Sequence, residues 1–379
     1  MAALTKLAPT QVLDLFQGAG SVNDRLVTLH IRILETMPFI SRIACTLYDS
    51  SQDLLKTFVN STRSGVALHA YQAKLAHIPS LQTLATSGQC RVLENIPEEI
   101  SNSSTHSDWL LQQGYKSSFT VPMYDNGQLL GFIFFDSTEL SYFTHAIQRD
   151  LLLYCNLINM ALSNELAAVR SVLASAQVAR DFANLRDFET GAHLERMAKY
   201  AKLIATGVAA HYQLSDETIE HIYLFAPLHD IGKIGIPDHI LLKAGPLNAE
   251  ERVIMESHVL KGEHIMQKVI GDFSLEHLPD SKVMQNIVAC HHEFMNGTGY
   301  PRQLAGEQIP IEARIVTVAD IFDALTSLRP YKKPWPVDQA IAELQRMADM
   351  GKLDQFCVNA LATNIEQAFQ IVERYPDPH

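Results

Sequence analysis

The chain has 379 residues, 47% of them hydrophobic, enough for two ordinary cores and two to three domains. A net charge of −12, with 19% charged residues, leaves no broad basic surface and excludes a groove for a nucleic-acid polymer. The five cysteines (Cys45, Cys90, Cys155, Cys290, Cys357) are scattered and never form a CxxC pair, which fits a reducing compartment and burial as small hydrophobes. The opening stretch MAALTKLAPTQVLDLFQ lacks the apolar core of a signal peptide, and no run reaches the roughly 18 apolar residues of a membrane helix. The expected location is cytoplasmic, with no membrane partner.

Residues 1–145 read as an α/β sensory domain. Helices fit at Val22–Thr36 and Ser107–Gln113, and short strands at Ile43–Tyr48 and Leu54–Val59 flank the turn Asp49-Ser50-Ser51. A stronger hairpin follows, with Ser117–Tyr124 and Gln128–Asp136 joined through Asp125-Asn126-Gly127. Asn-Gly between two apolar runs is a hairpin signal because both residues tolerate positive φ. The stretch YKSSFTVPMYDNGQLLGFIFFDS resembles a GAF domain. Some members of that family bind cyclic nucleotides or chromophores, but no residue set here assigns a ligand, and a structural or dimer-forming role is the alternative. Cys45 and Cys90 could serve as attachment points; burial is the expected role of each.

From Thr138 to Thr190 there is neither proline nor glycine, and the composition predicts a long linking helix over residues 146–185. Leu162, Leu166, Val169, Leu173 and Ala176 step by four and three, the spacing of a coiled-coil seam. Two readings fit: a parallel homodimer that transmits a signal, which we take as the expectation, or a helix laid against the chain's own domains.

Residues 186–379 form the second domain. Helical blocks are expected at Met197–Ala210, Asp216–Leu228, Asn248–Val269, Lys282–Cys290, Ile311–Leu328 and Val337–Met350, with Asn248 and Glu251 as a capping box. Ten of the sixteen histidines fall between His193 and His292, which places the ligand chemistry in this domain. In LHDIGKIGIPD, His229 and Asp230 offer an imidazole and a carboxylate from one turn, Lys233 adds a cation, and Gly232 and Gly235 keep the surface low. Glu189 and His193 are four apart and share a helix face. His258 lies near the apolar face of its helix, whereas His264 is better placed as a solvated or packing histidine. His291 and His292 point about 100° apart on a helix and can reach different metals. Asp320, within RIVTVADIFDAL, is a carboxylate among apolar residues, costly to bury unless paired or metal-bound. Asp323, one turn on, is placed to hold a ligand or a lysine.

Nitrogen and oxygen donors without thiolate suit iron, manganese or zinc and disfavour a closed structural zinc site. Eight such side chains exceed the needs of one ion, so two or three are expected, with Asp230 bridging. Bridged metals acidify a shared water and stabilise the oxyanions of phosphoryl displacement.

HDIGKIGIPD and HHEFMNGTGYP, together with RDFETGAH, His258 and IPIEARIVTVADIFDALTSLRPYKK, resemble the HD-GYP family of HD phosphohydrolases over about residues 180–360. The resemblance implies an all-helical bundle with metals in its core and hydrolysis of cyclic di-GMP to pGpG, often onward to GMP. It implies iron or manganese held by Glu189, His193, His229, Asp230, His258, His291, His292 and Asp320; the presence of Glu189 and His193 goes with a third ion. Asp230 and Lys233 would be catalytic. Lys233, Arg329, Lys332 and Tyr300 would bind substrate, with Tyr300 and Pro301 in a loop implicated in contacts with GGDEF-domain proteins. Asn296 departs from the family's usual aspartate; altered loop stability is the expected consequence, with a shift toward cyclic GMP-AMP as an alternative. The expected function is a metal-dependent cyclic di-GMP phosphodiesterase regulated by its N-terminal domain. The competing class is a non-catalytic receptor for a dinucleotide or partner protein.

Overall fold

A computed structural model describes residues 20–100, 105–183, 191–272, 281–328 and 333–377. By its internal contacts the chain divides into two compact units, one ending at Ala167 and the other beginning at Ala168.

The first unit runs α1 (Val22–Thr36), β1 (Ile40–Asp49), β2 (Leu54–Thr62), β3 (Gln72–Lys74), α2 (Pro79–Ser87), β4 (Arg91–Leu93), α3 (Thr105–Gln112), β5 (Ser117–Asp125), β6 (Gln128–Ser137) and the start of α4 (His145–Ala183). Its strands pair antiparallel in the order β3-β2-β1-β6-β5-β4. The central hairpin closes where the sequence places it: Asp125 pairs with Gln128 around Asn126 (φ 48°) and Gly127 (φ 79°). Successive residues of β6 face opposite ways. Ile133 and Phe135 meet α1 and α4, whereas Phe132 and Phe134 meet Leu75, Leu81 and Leu84. Both faces are covered, so β6 is a nearly continuous apolar run instead of an alternating one. The three-residue strands β3 and β4 carry too little periodicity to be read from sequence.

Cys45 is buried, and burial pushes its thiol up to about 12, which leaves it unreactive near neutrality. Cys90 is exposed, contrary to the burial expected for it.

The seam expected on α4 is largely committed within the chain. Leu162 and Leu166 belong to the core beneath the sheet, and Val169 belongs to the core of the second unit, with Leu173 packed against it. A spacing of 3.5 residues serves burial against the chain's own cores as readily as burial against a partner. Among the described residues, no helix is long and apolar enough to cross a membrane.

The second unit continues through α5 (Gly191–Tyr212), α6 (Asp216–Phe225), α7 (Ala249–Glu256), α8 (His258–Asp272), α9 (Ser281–Cys290), α10 (Ile311–Thr326), α11 (Val337–Asp349), α12 (Gln355–Thr363) and α13 (Ile365–Arg374). Helix α5 buries Met197, Tyr200, Ala201, Ile204 and Val208, the i, i+3, i+4 pattern of one face, and packs against α6, α10 and α12. The capping box forms, with the Asn248 side chain accepting from Glu251 N and the Glu251 carboxylate accepting from Asn248 N. The block expected over Asn248–Val269 is nevertheless two helices that break at Ser257, so His258 opens α8 instead of lying mid-helix.

In the first unit, His106 sits among the rings of Tyr71, Trp109 and Phe134, at centroid separations of 5.9, 5.9 and 6.3 Å. Burial, reinforced by the nearby Arg42 charge, lowers its pKa from 6.5 to about 4. The native state favours the neutral ring, so this group's stability is fully present above pH 6.5 and is lost as the pH falls toward 4. The loss is at most about 3 kcal/mol. His106→Phe should flatten the decline between those values, as measured by chemical denaturation of both proteins at pH 7.5 and 4.5.

Candidate metal centre

Five short pieces of backbone bring the described side chains together. His193 comes from the first turn of α5, and His229 and Asp230 from the 3₁₀ turns that follow α6. His258 opens α8, His291 and His292 follow α9, and Asp320 sits on α10. Their donor atoms form two groups, Asp230 with His258, His291 and His292, and His193 with His229 and Asp320. Within each group the donors lie within 4.8 Å of one another.

Asp230 stands between the groups. Its Oδ1 is 3.0 Å from His258 Nε2 and 3.6 Å from His291 Nε2, while its Oδ2 is 3.1 Å from His229 Nε2 and 2.8 Å from Lys233 Nζ. One carboxylate oxygen therefore faces each set of imidazoles, the disposition of a bridging ligand. Burial would raise the Asp230 pKa, but the Lys233 ammonium 2.8 Å away holds it well below the usual range. Asp320 is less enclosed than its helix suggested, with a side chain 17% exposed, and its Oδ1 lies 3.9 Å from His229 Nε2.

The imidazoles are aimed by their other nitrogen. Nδ1 lies 2.8 Å from the Ala226 carbonyl in His229, 2.7 Å from Met255 O in His258, and 3.1 Å from Ile287 O in His291. In His193 it lies 2.7 Å from Asp323 Oδ2. Each partner is an acceptor, so Nδ1 carries the proton and Nε2 presents its lone pair to the site, the form a metal requires. Burial lowers the pKa of His291 and, further, of His292, which keeps both rings neutral. The buried Nε2 atoms of His258 and His291 have no partner with hydrogen-bond geometry, as suits donors directed at a common cation. The donor set fits the expected ions.

Asp323 performs one of the two tasks foreseen for it, holding a ligand, but its cation is Arg196 and not a lysine. Three further residues were not singled out from sequence. Thr317 donates to the His291 carbonyl at 2.7 Å. Glu293, buried directly after the histidine pair, accepts from the backbone N–H groups of Arg302 and Leu304 and closes the following loop. Arg196 lies three residues after His193 on the same helix face, a spacing visible in the sequence. Tyr300 reaches the site through that loop, its ring centroid 4.7 Å from His292 and its phenol pushed up by burial and by the Asp230 charge. Asn296 is exposed and accepts from the Thr298 N–H and hydroxyl, so it shapes the loop and lies outside the donor groups. His264 is exposed, the first of the two roles expected for it. Glu189, Arg329 and Lys332 lie outside the described residues, as does His277.

Residues 177–356 match the HD domain family and residues 33–162 the GAF domain family. Over 191 residues the chain is 44% identical to the cyclic di-GMP phosphodiesterase response regulator RpfG of Xanthomonas campestris pv. campestris, covering 50% of this chain and 47% of that protein. Two Vibrio cholerae proteins are also similar. A cyclic di-GMP phosphodiesterase is 41% identical over 48% of this chain and 37% of its own length. A 3'3'-cGAMP-specific phosphodiesterase is 43% identical over 44% of this chain and 30% of its own. The matched stretches thus span less than half the length of each of these curated relatives.

The turn Ile231–Gly235, which carries Lys233, packs directly on α8. A Cβ at Gly232 would stand 1.9 Å from the His258 carbonyl oxygen and 2.4 Å from Gly262 N. Neither backbone atom can move without displacing His258. Gly232→Ala should therefore destabilise the protein by about 2 kcal/mol or more. Gly235→Ala, whose Cβ meets only the Lys261 side chain at 2.8 Å, should cost less than about 1 kcal/mol. Thermal melts of the two variants test the contrast.

Proposed function

We propose that this chain, a GAF domain followed by an HD domain of the HD-GYP kind, is a metal-dependent phosphodiesterase that hydrolyses cyclic di-GMP. The product would be pGpG or, with a second cleavage, GMP, and the GAF domain would regulate the reaction. The observation that carries this reading is Asp230, whose two oxygens face two separate imidazole sets. The metals are two or three ions, iron or manganese, in keeping with nitrogen and oxygen donors and no thiolate. Their ligands are Glu189, His193, His229, Asp230, His258, His291, His292 and Asp320, with Glu189 serving a third ion.

When bound, such ions supply Lewis acidity and acidify a water for attack on phosphorus. The chain's own residues do the rest. The carbonyls behind His229, His258 and His291 keep each ring in the Nε2-donor tautomer. Lys233, anchored on Asp230 and 22% exposed at its side chain, would hold a phosphate oxygen as negative charge develops. Tyr300 would wall the pocket beside His292, and Arg329 and Lys332 would grip the second phosphate. The similarity of this chain to both a cyclic di-GMP enzyme and a 3'3'-cGAMP enzyme makes the second dinucleotide the substrate to assay alongside the first. The reading extends to two partners, GGDEF-domain proteins at the loop holding Tyr300 and a second copy of the chain. For the latter, the exposed Leu153 and Met160, seven apart on α4, offer an apolar stripe that Leu162 and Leu166 do not.

Protein purified without oxygen in the presence of iron or manganese should carry two or three ions and convert cyclic di-GMP, followed by chromatography. Asp230→Ala should lose metal and reduce turnover by about a hundredfold or more. Metal-loaded protein that leaves both dinucleotides intact would replace the enzyme with a receptor.

Removing Lys233 tests its role separately. Lys233→Ala should slow turnover by about a hundredfold with metal content unchanged. Loss of metal in that variant would assign the lysine to the metal centre instead of to substrate.

A further inference from the structure

Arg196 uses its whole guanidinium to join three segments of the second unit, and its side chain is only 3% exposed. Its Nε donates to Asp323 Oδ1 at 2.6 Å, and its Nη2 reaches Asp323 Oδ2 at 3.1 Å and Ser327 Oγ at 2.7 Å. The remaining contacts go to residues beyond α13: Nη1 donates to the Tyr375 carbonyl at 2.7 Å, and Nη2 to Asp377 Oδ1 at 2.9 Å. The other Asp377 oxygen accepts from the Leu328 N–H at 2.8 Å, and the Lys199 ammonium lies 5.1 Å from the Tyr375 ring centroid. The Tyr375–Asp377 segment is thereby bound at once to Arg196 and to the residue that precedes Arg329.

The connection to His193 is direct. The Asp323 carboxylate accepts from Nδ1 of His193 on one side and from Arg196 on the other, with Ser327 Oγ donating to it at 2.9 Å. A fully buried carboxylate is tolerated only while it is paired, and one that holds an imidazole N–H fixes the ring and raises its basicity as a ligand. Without the guanidinium the Asp323 carboxylate loses the contacts that fix its position, and His193 loses its orientation with it.

We propose that Arg196 is a positioning residue for His193, and that the Tyr375–Asp377 segment acts through it, so that seating of this segment sets how tightly the His193, His229 and Asp320 group holds its metal. The inference rests on the metal-centre reading above. It gives residues outside every expected ligand position a part in metal retention, and it places a lever for metal affinity at the far end of the second unit.

The test uses the whole chain loaded with manganese, challenged with increasing chelator, with metal per chain counted at each step. Asp377→Ala removes two contacts at a position whose side chain is 17% exposed, where folding is least at risk, and Arg196→Lys keeps the charge but loses the fork. In each variant one ion should be stripped at a chelator concentration about tenfold lower than in the unaltered protein, the remaining metal should be held as before, and Asp377→Asn should recover part of the loss. Melting of the metal-free proteins should be nearly unchanged by Asp377→Ala, which separates loosened ligand positioning from general destabilisation. Wild-type chelator resistance in both Asp377→Ala and Arg196→Lys overturns the inference. So does a metal-free melt that falls in step with the metal loss, since the segment would then be only structural. Failure of the unaltered chain to hold any metal overturns the underlying reading, and is recognised because it precedes every comparison of variants.

Discussion

Asp230 is a carboxylate with a side chain only 9% exposed, and the second unit is arranged around the requirement that this charge be matched. An unpaired buried anion costs several kcal/mol, and Lys233 offsets part of that cost at 2.8 Å. Burial keeps the His291 and His292 rings neutral, and the Nδ1 hydrogen bonds of His229, His258 and His291 to carbonyls leave their Nε2 lone pairs facing the site. Such a shell attracts cations far more strongly than it satisfies an acid. The close packing of the Gly232 turn on α8 follows from the same need, since His229, Asp230 and His258 must converge from different elements.

The aiming of the rings is a backbone property. His229, His258 and His291 each contact carbonyl oxygens three or four residues earlier, which ties ring orientation to helix or turn geometry instead of to another side chain. His193 is the exception. Its Nδ1 depends on Asp323, and Asp323 depends on Arg196, so this corner of the site is held by a chain of charged groups. Carbonyl-held ligands move only when the fold moves, whereas a charge-held ligand can respond to a change at the surface. Of the four rings whose Nδ1 partner is described, His193 is the one held by a charged side chain.

Much of the fold was legible in the sequence. The Asn126-Gly127 hairpin, the helix Val22–Thr36 and the Asn248 capping box all follow from local rules of φ, periodicity and end-capping that act within a few residues. The break at Ser257 was not legible, because the apolar pattern continues through it. The three-residue strands were missed for want of a full period. Residues of α4 had the spacing of a dimer seam, yet Leu162, Leu166 and Val169 are buried in the chain's own cores: periodicity shows that a face is covered and not by what.

For the site, the sequence by itself determined the donor types, their order and their grouping on short motifs, because metal chemistry restricts which residues can serve and local spacing restricts which can act together. It also placed Asp323 beside a ligand, one helical turn from Asp320. Only the tertiary structure decided that Asp230 faces two sets of imidazoles, that Arg196 rather than a lysine balances Asp323, and that Tyr375 and Asp377 reach that arginine from nearly 180 residues away in the chain. Contacts between segments so distant leave no periodic trace, since each depends on where packing places the other.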